Sequence, residues 1–172
     1  PFTVSLNILA PINSNGAKPP PFEPSLRDDS NEPQFVSPRS LDAEKPPKTW
    51  QELHEAAKKL RESGQECGYT SSWPSWILLE NFAAWHNIPF ASENNGFGGP
   101  SARLQLDNPL FLKHLTFLAD MSKDGSFSYG GRGDTANALF TSGKCGMFTG
   151  SSGNRANIIK TGEFEFGTSS LP

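Results

Sequence analysis

Apolar residues recur at three- and four-residue steps through most of the chain after position 48, and no such period survives before it. Trp50, Leu53, Ala56, Ala57 and Leu60 share one helical face. Thr49-Trp-Gln-Glu52 ahead of them is a capping box, in which Glu52 is expected to reach back to the Thr49 N–H, and Gly64 ends the helix. Residues 65–70 read as a short strand or loop. From Ile77 a second helix is expected, with Leu78, Leu79, Phe82 and Trp85 on its stripe. Ile77, Ala83 and Ala84 widen that stripe nearly all the way round, which predicts burial. Ser72 or Ser75 is the expected cap and Pro74 suits a first turn. Trp73 and Trp76, three apart, would leave one face of that turn together.

Residues 87–100 carry the turn formers of a loop, and residues 103–106 suggest a brief strand. Asn108-Pro109 opens a helix predicted to turn Phe111, Leu112, Leu115, Leu118 and Ala119 inward and to stop before Gly125. Asp134 is the expected cap of a helix carrying Ala136, Leu139 and Phe140, ending at Gly143. Residues 145–148 read as a buried strand running into Thr149-Gly-Ser-Ser-Gly153, then a helix over 154–160 closed by Gly162. Phe164 and Phe166 alternate with Glu163 and Glu165 as in a half-buried strand. Ten of the 15 prolines lie in residues 1–48. Apart from a possible strand over 2–9, that stretch reads as irregular, extended chain, which makes 49–172 the expected helical domain.

The chain has 172 residues, enough for one domain with a real core. Its net charge of -3 and pI near 5.6, without a basic stripe, speak against a nucleic-acid partner. No apolar run approaches the ~20 residues of a membrane-spanning helix. The chain begins at Pro1 rather than Met, which reads as a processed form or a fragment. Cys67 and Cys145 are compatible with one disulfide without requiring it, and they lack the spacing of metal ligands.

Two stretches carry candidate chemistry. The indoles of Trp73 and Trp76 beside a helix start offer flat apolar surface next to partial positive charge, which suits a small ligand with C–H faces and an anionic end. Core packing of both is the competing reading. Strand, Gly-Ser-Ser-Gly, helix around Ser151 and Ser152 makes an anion-binding corner, or simply a helix cap provided by Ser152 or Asn154. Thr149-Gly-Ser151-Ser-Gly153 also differs by one residue from the G-x-S-x-G nucleophile elbow, Thr149 replacing the first glycine. His54, His86 and His114 all precede Ser151, whereas a hydrolase of that fold needs its acid and histidine downstream. His54 and His114 are expected to be solvent-exposed on their helices. Arg132-Gly133-Asp134 spells an adhesion tripeptide, a third reading that requires an exposed loop tip. No catalytic residue, metal site or cofactor is expected.

Lys48-Thr-Trp-Gln-Glu-Leu53, Cys67-Gly-Tyr69, Trp73-Pro-Ser-Trp76, Leu79-Glu-Asn-Phe82, Pro89-Phe-Ala-Ser92, Asn94-Asn-Gly-Phe97, Phe127-Ser-Tyr129 and Ser151-Ser-Gly153 together resemble one family. It is the extracellular solute-binding protein family 1, specifically the periplasmic glycerol-3-phosphate-binding proteins of ABC-type importers. The resemblance runs from about Leu41 to Pro172. It implies an α/β fold, the mostly helical second lobe of a two-lobed type II receptor, preceded here by a proline-rich irregular segment. It further implies a periplasmic location, a membrane permease as partner, and a ligand that is glycerol 3-phosphate or a glycerophosphodiester. Carried over by position, Trp73 and Trp76 match indoles that pack on the glycerol part, and Ser151 matches a serine that hydrogen-bonds the ligand. Ser25, in Pro21-Phe-Glu-Pro-Ser25, stands where the family has a further ligand serine. The other lobe's ligand contacts have no counterpart here, so the chain alone is expected to bind weakly at best.

Overall fold

The computed structural model describes residues 5–9, 46–162, 164 and 166–172. Ser25 and most of the proline-rich segment lie outside them. Five strands form one mixed sheet in the order β3-β2-β4-β1-β5: β1 (Ser5–Leu9), β2 (Cys67–Ser71), β3 (Phe127–Tyr129), β4 (Cys145–Ser151) and β5 (Gly167–Ser170). β3, β2 and β4 run parallel, while β1 pairs antiparallel with both β4 and β5. One strand of the first 48 residues therefore belongs to the same sheet as the rest.

Parallel strands require crossovers, and here the crossovers are helical. The helices are α1 (Trp50–Glu62), which leads into β2, then α2 (Asn81–Trp85), a single turn α3 (Ser92–Asn95), α4 (Pro109–Lys123) and α5 (Ala136–Thr141) in the crossovers among β2, β3 and β4, and α6 (Asn154–Thr161) before β5. All of β2 and the first six residues of β4 are buried, as expected for strands covered on both faces. Successive strand residues point to opposite faces, so Met147 joins the larger core and Phe148 the smaller one. The larger core is built by α1, α4 and the Ile77–Ala83 region around Tyr69 and Phe111. The smaller packs Ala136, Phe140, Phe148 and Ile158, with Phe164 and Phe166 against them. The α/β architecture agrees with the expected class.

α1 buries the five residues its period marks. Thr49 Oγ1 accepts from the Glu52 N–H at 3.1 Å, but the Glu52 carboxylate takes the Lys48 N–H at 2.7 Å, one residue earlier than a closed capping box requires. Gly64 follows in the left-handed region. Cys67 and Cys145 are register partners on neighbouring strands and form a disulfide. Asn108 caps α4 through the Leu110 N–H at 2.8 Å.

Several expectations need correction. Residues 75–80 are a π-helix, not the first turns of an α-helix, with the Asn81 N–H bonded to the Trp76 carbonyl and no side-chain cap from a serine. Its buried residues, Ile77 and Leu78, stand five before Phe82 and Ala83. In an α-helix five steps rotate a side chain by about 140° from its neighbour, whereas a widened turn brings the pair to one face. Trp85 consequently points outward, 64 % exposed, and Ala84 is exposed as well. In α4 the inward face is Phe111, His114, Leu118 and Met121, while Leu112 and Leu115 are exposed, because a histidine takes the place where the apolar count expects leucine. Residues 103–106 contribute only a bridge between Leu104 and Ala91. β5 begins at Gly167, after the two phenylalanines, which pack as loop.

Candidate functional site

Ser71, the last residue of β2, is in register with Tyr129 at the end of β3 and with Thr149 near the end of β4. Three parallel strands thus stop side by side, and ligand sites of open α/β sheets lie beyond such carboxyl ends. Trp73 lies two residues past Ser71, and Ser151 two past Thr149. The structure brings these two predicted site residues, 78 positions apart in the chain, to the same end of adjacent strands.

A buried hydroxyl chain stiffens this edge. Tyr69 Oη donates to Thr149 Oγ1 at 2.8 Å, Thr149 donates to Ser71 Oγ at 2.9 Å, and Ser71 donates to the Ser72 carbonyl at 3.2 Å. Every oxygen in it is paired, so burial is tolerated. Burial raises the Tyr69 hydroxyl above the ordinary tyrosine range, so it stays protonated and keeps donating. The Ser72 N–H donates to the Thr149 carbonyl at 3.0 Å and continues the β2–β4 ladder one step beyond the strand.

Trp73 then leaves the sheet with φ 48°, in the left-handed region. For a residue with a Cβ this costs about 1–2 kcal/mol, and such strain persists where surroundings hold it. Its N–H is held by the Gly133 carbonyl at 2.9 Å, and its own carbonyl accepts from the Ile77 N–H at 2.9 Å. Trp73 therefore precedes the helix instead of sharing its first turn with Trp76, as the three-residue spacing had suggested. Its side chain is 46 % exposed, which excludes core packing for this indole. Trp76 lies within the π-helix, half-buried against the larger core. Single π turns recur at functional positions because the extra residue re-aims a side chain.

Ser151 is half-buried at the end of β4. Its Oγ accepts from the Gly153 N–H at 3.2 Å, which leaves its O–H hydrogen free to donate. The Arg155 N–H goes to the Ser152 carbonyl at 3.2 Å. Two donors of the expected anion-binding corner are therefore used internally, and neither Ser152 nor Asn154 caps α6 with its side chain.

Asp134 does not cap α5 with its carboxylate either. Its backbone carbonyl accepts from the Asn137 N–H at 3.0 Å, while Oδ1 accepts from Asn154 Nδ2 at 2.9 Å. The carboxylate of the Arg-Gly-Asp sequence is thereby engaged within the fold.

The imidazoles are engaged with partners other than Ser151. His54 Nε2 bonds Asp124 at 2.6 Å, and His86 stacks on Phe82 with 4.2 Å between centroids. His114 is 4 % exposed, contrary to expectation: it stacks on Phe82 at 3.8 Å and bonds the Leu78 carbonyl at 3.0 Å. Burial pushes its pKa down to about 4, against the favourable pull of the Leu78 carbonyl. A hydrolase reading thus lacks a base beside Ser151 among the described residues. The described residues also contain no cluster of side chains able to hold a metal.

A hollow of about 370 Å³ lies elsewhere, lined by Trp50, Phe82, His86, Lys113, His114 and Asp120 among others. It contains none of the predicted site residues. The strand-end edge carries two exposed aromatic rings, Trp73 and Tyr129. Sequence reading quoted Tyr129 only within a family motif and gave no site role to it, 59 % exposed at this edge, or to the Gly133 carbonyl. The aromatic at a strand end, just before Gly130-Gly131, was the available signal.

Among known proteins, this chain is 49 % identical over 133 residues to the sn-glycerol-3-phosphate-binding periplasmic protein UgpB of Brucella abortus (strain 2308). It is 51 % identical over 133 residues to the protein of that name from Agrobacterium fabrum, and 50 % over 132 residues to that of Escherichia coli (strain K12). Each alignment covers 77 % of this chain and 30 % of the relative, so the chain spans less than a third of those proteins. Residues 15–172 match the bacterial extracellular solute-binding protein family, including much of the proline-rich stretch that the motif resemblance had left out, and the chain belongs to that family.

Proposed function

We propose that this chain is part of the substrate-binding component of an ABC-type importer, capturing glycerol 3-phosphate or a glycerophosphodiester in the periplasm between two lobes and passing it to a membrane permease unchanged. Residues 49–172 would be the ligand-binding lobe, with β1 (Ser5–Leu9) from the preceding segment completing its sheet. Trp73 and Trp76 supply apolar faces for the glycerol carbons, and Ser151 donates its free O–H to a ligand oxygen. Ser25 is proposed as a further ligand hydroxyl on the strength of the family resemblance alone.

The observation that carries this reading is the register of β2 against β4, which aligns the exits toward Trp73 and Ser151 at one strand-end edge. The strained, exposed Trp73 and the π turn around Trp76 support it, as does half identity to relatives named for glycerol 3-phosphate. Exposed aromatic rings at that edge are also what one lobe of a two-lobed receptor would present, since closure supplies the remaining walls. Binding without chemistry fits the absence of a base partnered to Ser151 among the described residues.

Calorimetry and tryptophan fluorescence on the full two-lobed parent test the reading. Glycerol 3-phosphate should bind the parent with altered emission, and Trp76→Ala should weaken binding by roughly thirtyfold, the usual effect of removing a buried aromatic anchor. The 172-residue chain alone should bind far more weakly than the parent. A parent that ignores both glycerol 3-phosphate and glycerophosphodiesters would end the proposal, as would an active-site serine probe that labels Ser151.

A further inference from the structure

The Arg132-Gly133-Asp134 sequence has found no role in ligand contact, yet it lies between the two halves of the strand-end edge. The Gly133 carbonyl holds the Trp73 N–H at 2.9 Å. A Cβ on Gly133 would come within 3.9 Å of the Trp73 ring, so the indole lies directly against this residue. The next residue, Asp134, accepts from Asn154 Nδ2 at 2.9 Å. Asn154 begins α6 and follows Gly153, whose N–H is held by Ser151 Oγ at 3.2 Å. A continuous path of three hydrogen bonds and two one-residue chain steps therefore leads from the Trp73 backbone to the Ser151 hydroxyl.

We propose that Asp134 is a positioning residue that ties the loop seating Trp73 to the corner carrying Ser151, so that the two ligand contacts keep a fixed separation. The ligand role of those two residues rests on the function proposed above; the clamp itself rests only on the geometry. The β2–β4 ladder already fixes the backbones up to Ser72 and Thr149. Beyond that point β2 turns off the sheet, with Trp73 in a conformation that its own φ disfavours, while β4 stays paired with β1 as far as Ser151. Its N–H bond to Gly133 is useful only if residue 133 is itself anchored. On one side the loop is packed tightly: a Cβ at Gly130 would fall 2.5 Å from the Ala136 side chain. On the other side the Asp134 carbonyl is bonded to the Asn137 N–H at 3.0 Å, and the carboxylate reaches across to Asn154. Of these anchors, only the carboxylate connects the loop to α6 through a side chain that substitution can remove.

The side chains of Asp134 and Asn154 are at the surface, so the bond contributes modestly to stability, and its effect should appear locally. Hydrogen exchange by NMR on the complete chain reads it at two amides. Asp134→Ala should speed exchange at Trp73 N–H and Gly153 N–H by roughly fivefold, while amides of α1 keep their rates. Asn154→Ala should do the same, and the double substitution should add little to either single one. Asp134→Asn retains an oxygen that accepts from Asn154 Nδ2 and should restore slow exchange. In the full two-lobed parent, Asp134→Ala should weaken glycerol 3-phosphate binding by roughly three- to tenfold. Asp134→Asn should match or exceed the parent's affinity, because it keeps the bond and removes a negative charge facing an anion.

Unchanged exchange at both amides in Asp134→Ala overturns the clamp. Faster exchange together with undiminished affinity in a parent that binds overturns its positioning role. If the parent does not bind at all, the transport reading fails while the exchange data still decide whether the clamp exists.

Discussion

His114 makes stability depend on pH. Its ring is sandwiched against Phe82, meets Trp50 edge-on at 4.7 Å and gives one nitrogen to the Leu78 carbonyl. Protonation adds a charge that the apolar surroundings cannot solvate, and His86 on the other face of Phe82 adds repulsion. Folding therefore lowers the pKa from its ordinary 6.5 to about 4. Between these values the unfolded chain binds the proton and the folded chain does not. Stability is thus complete above 6.5 and falls as pH drops toward 4, where both states are charged and the loss ends. The gap corresponds to roughly 3 kcal/mol, a large share of a small domain's stability. Urea unfolding at about pH 7.5, 6 and 5, with the disulfide intact, should show the midpoint moving down at each step. In His114→Phe, which keeps a stacking ring and removes the titration, that slope should nearly vanish even if overall stability changes. The same slope in His114→Phe, or an imidazole NMR titration centred near 6.5, would refute the assignment. Asp124 does not confuse the result. Although burial opposes it, hydrogen bonds from Ser126, His54 and Lys58 hold its carboxyl below the ordinary carboxylate range, so its contribution is lost only at lower pH.

Three further outcomes follow from local geometry. Replacing Cys67 and Cys145 together by alanine opens a loop of sequence separation 78 and should cost about 4 kcal/mol, read as a lower denaturant midpoint. Gly68→Ala would place a Cβ 2.4 Å from the Ala57 backbone oxygen, whereas Gly146→Ala meets only the tip of Leu60 at 2.7 Å. Helix backbone cannot yield as a side chain can, so the first should cost about 3 kcal/mol and the second about 1 kcal/mol; equal costs would show that α1 shifts as a body. Thr49→Ala removes the α1 cap bond to the Glu52 N–H and should lower stability by about 1 kcal/mol in thermal unfolding.

α1 was legible from residue spacing alone, because a regular α-helix at a sheet surface has one period and one buried face, and Trp50 through Leu60 follow it. The Asn108-Pro109 start of α4 was equally local: a cap depends on residues within one turn of it. The motif resemblance identified the family and singled out Trp73, Trp76 and Ser151, since short motifs in fixed order survive in the sequence itself. What spacing could not carry was decided by contacts between distant segments. Leu78 and Leu79 look alike in sequence; the π turn, stabilised by packing against α4, buries the first and leaves the second half-exposed. His114 reads as a solvent-facing polar residue until Phe82 and the Leu78 carbonyl, 36 positions earlier in the chain, close around it. Asp134 has the chemistry of a helix cap, yet α6 offers its carboxylate a better-placed donor. The alignment of the Trp73 and Ser151 strand ends likewise depends on β2 and β4 pairing in parallel, a register set by burial on both faces that no local pattern encodes.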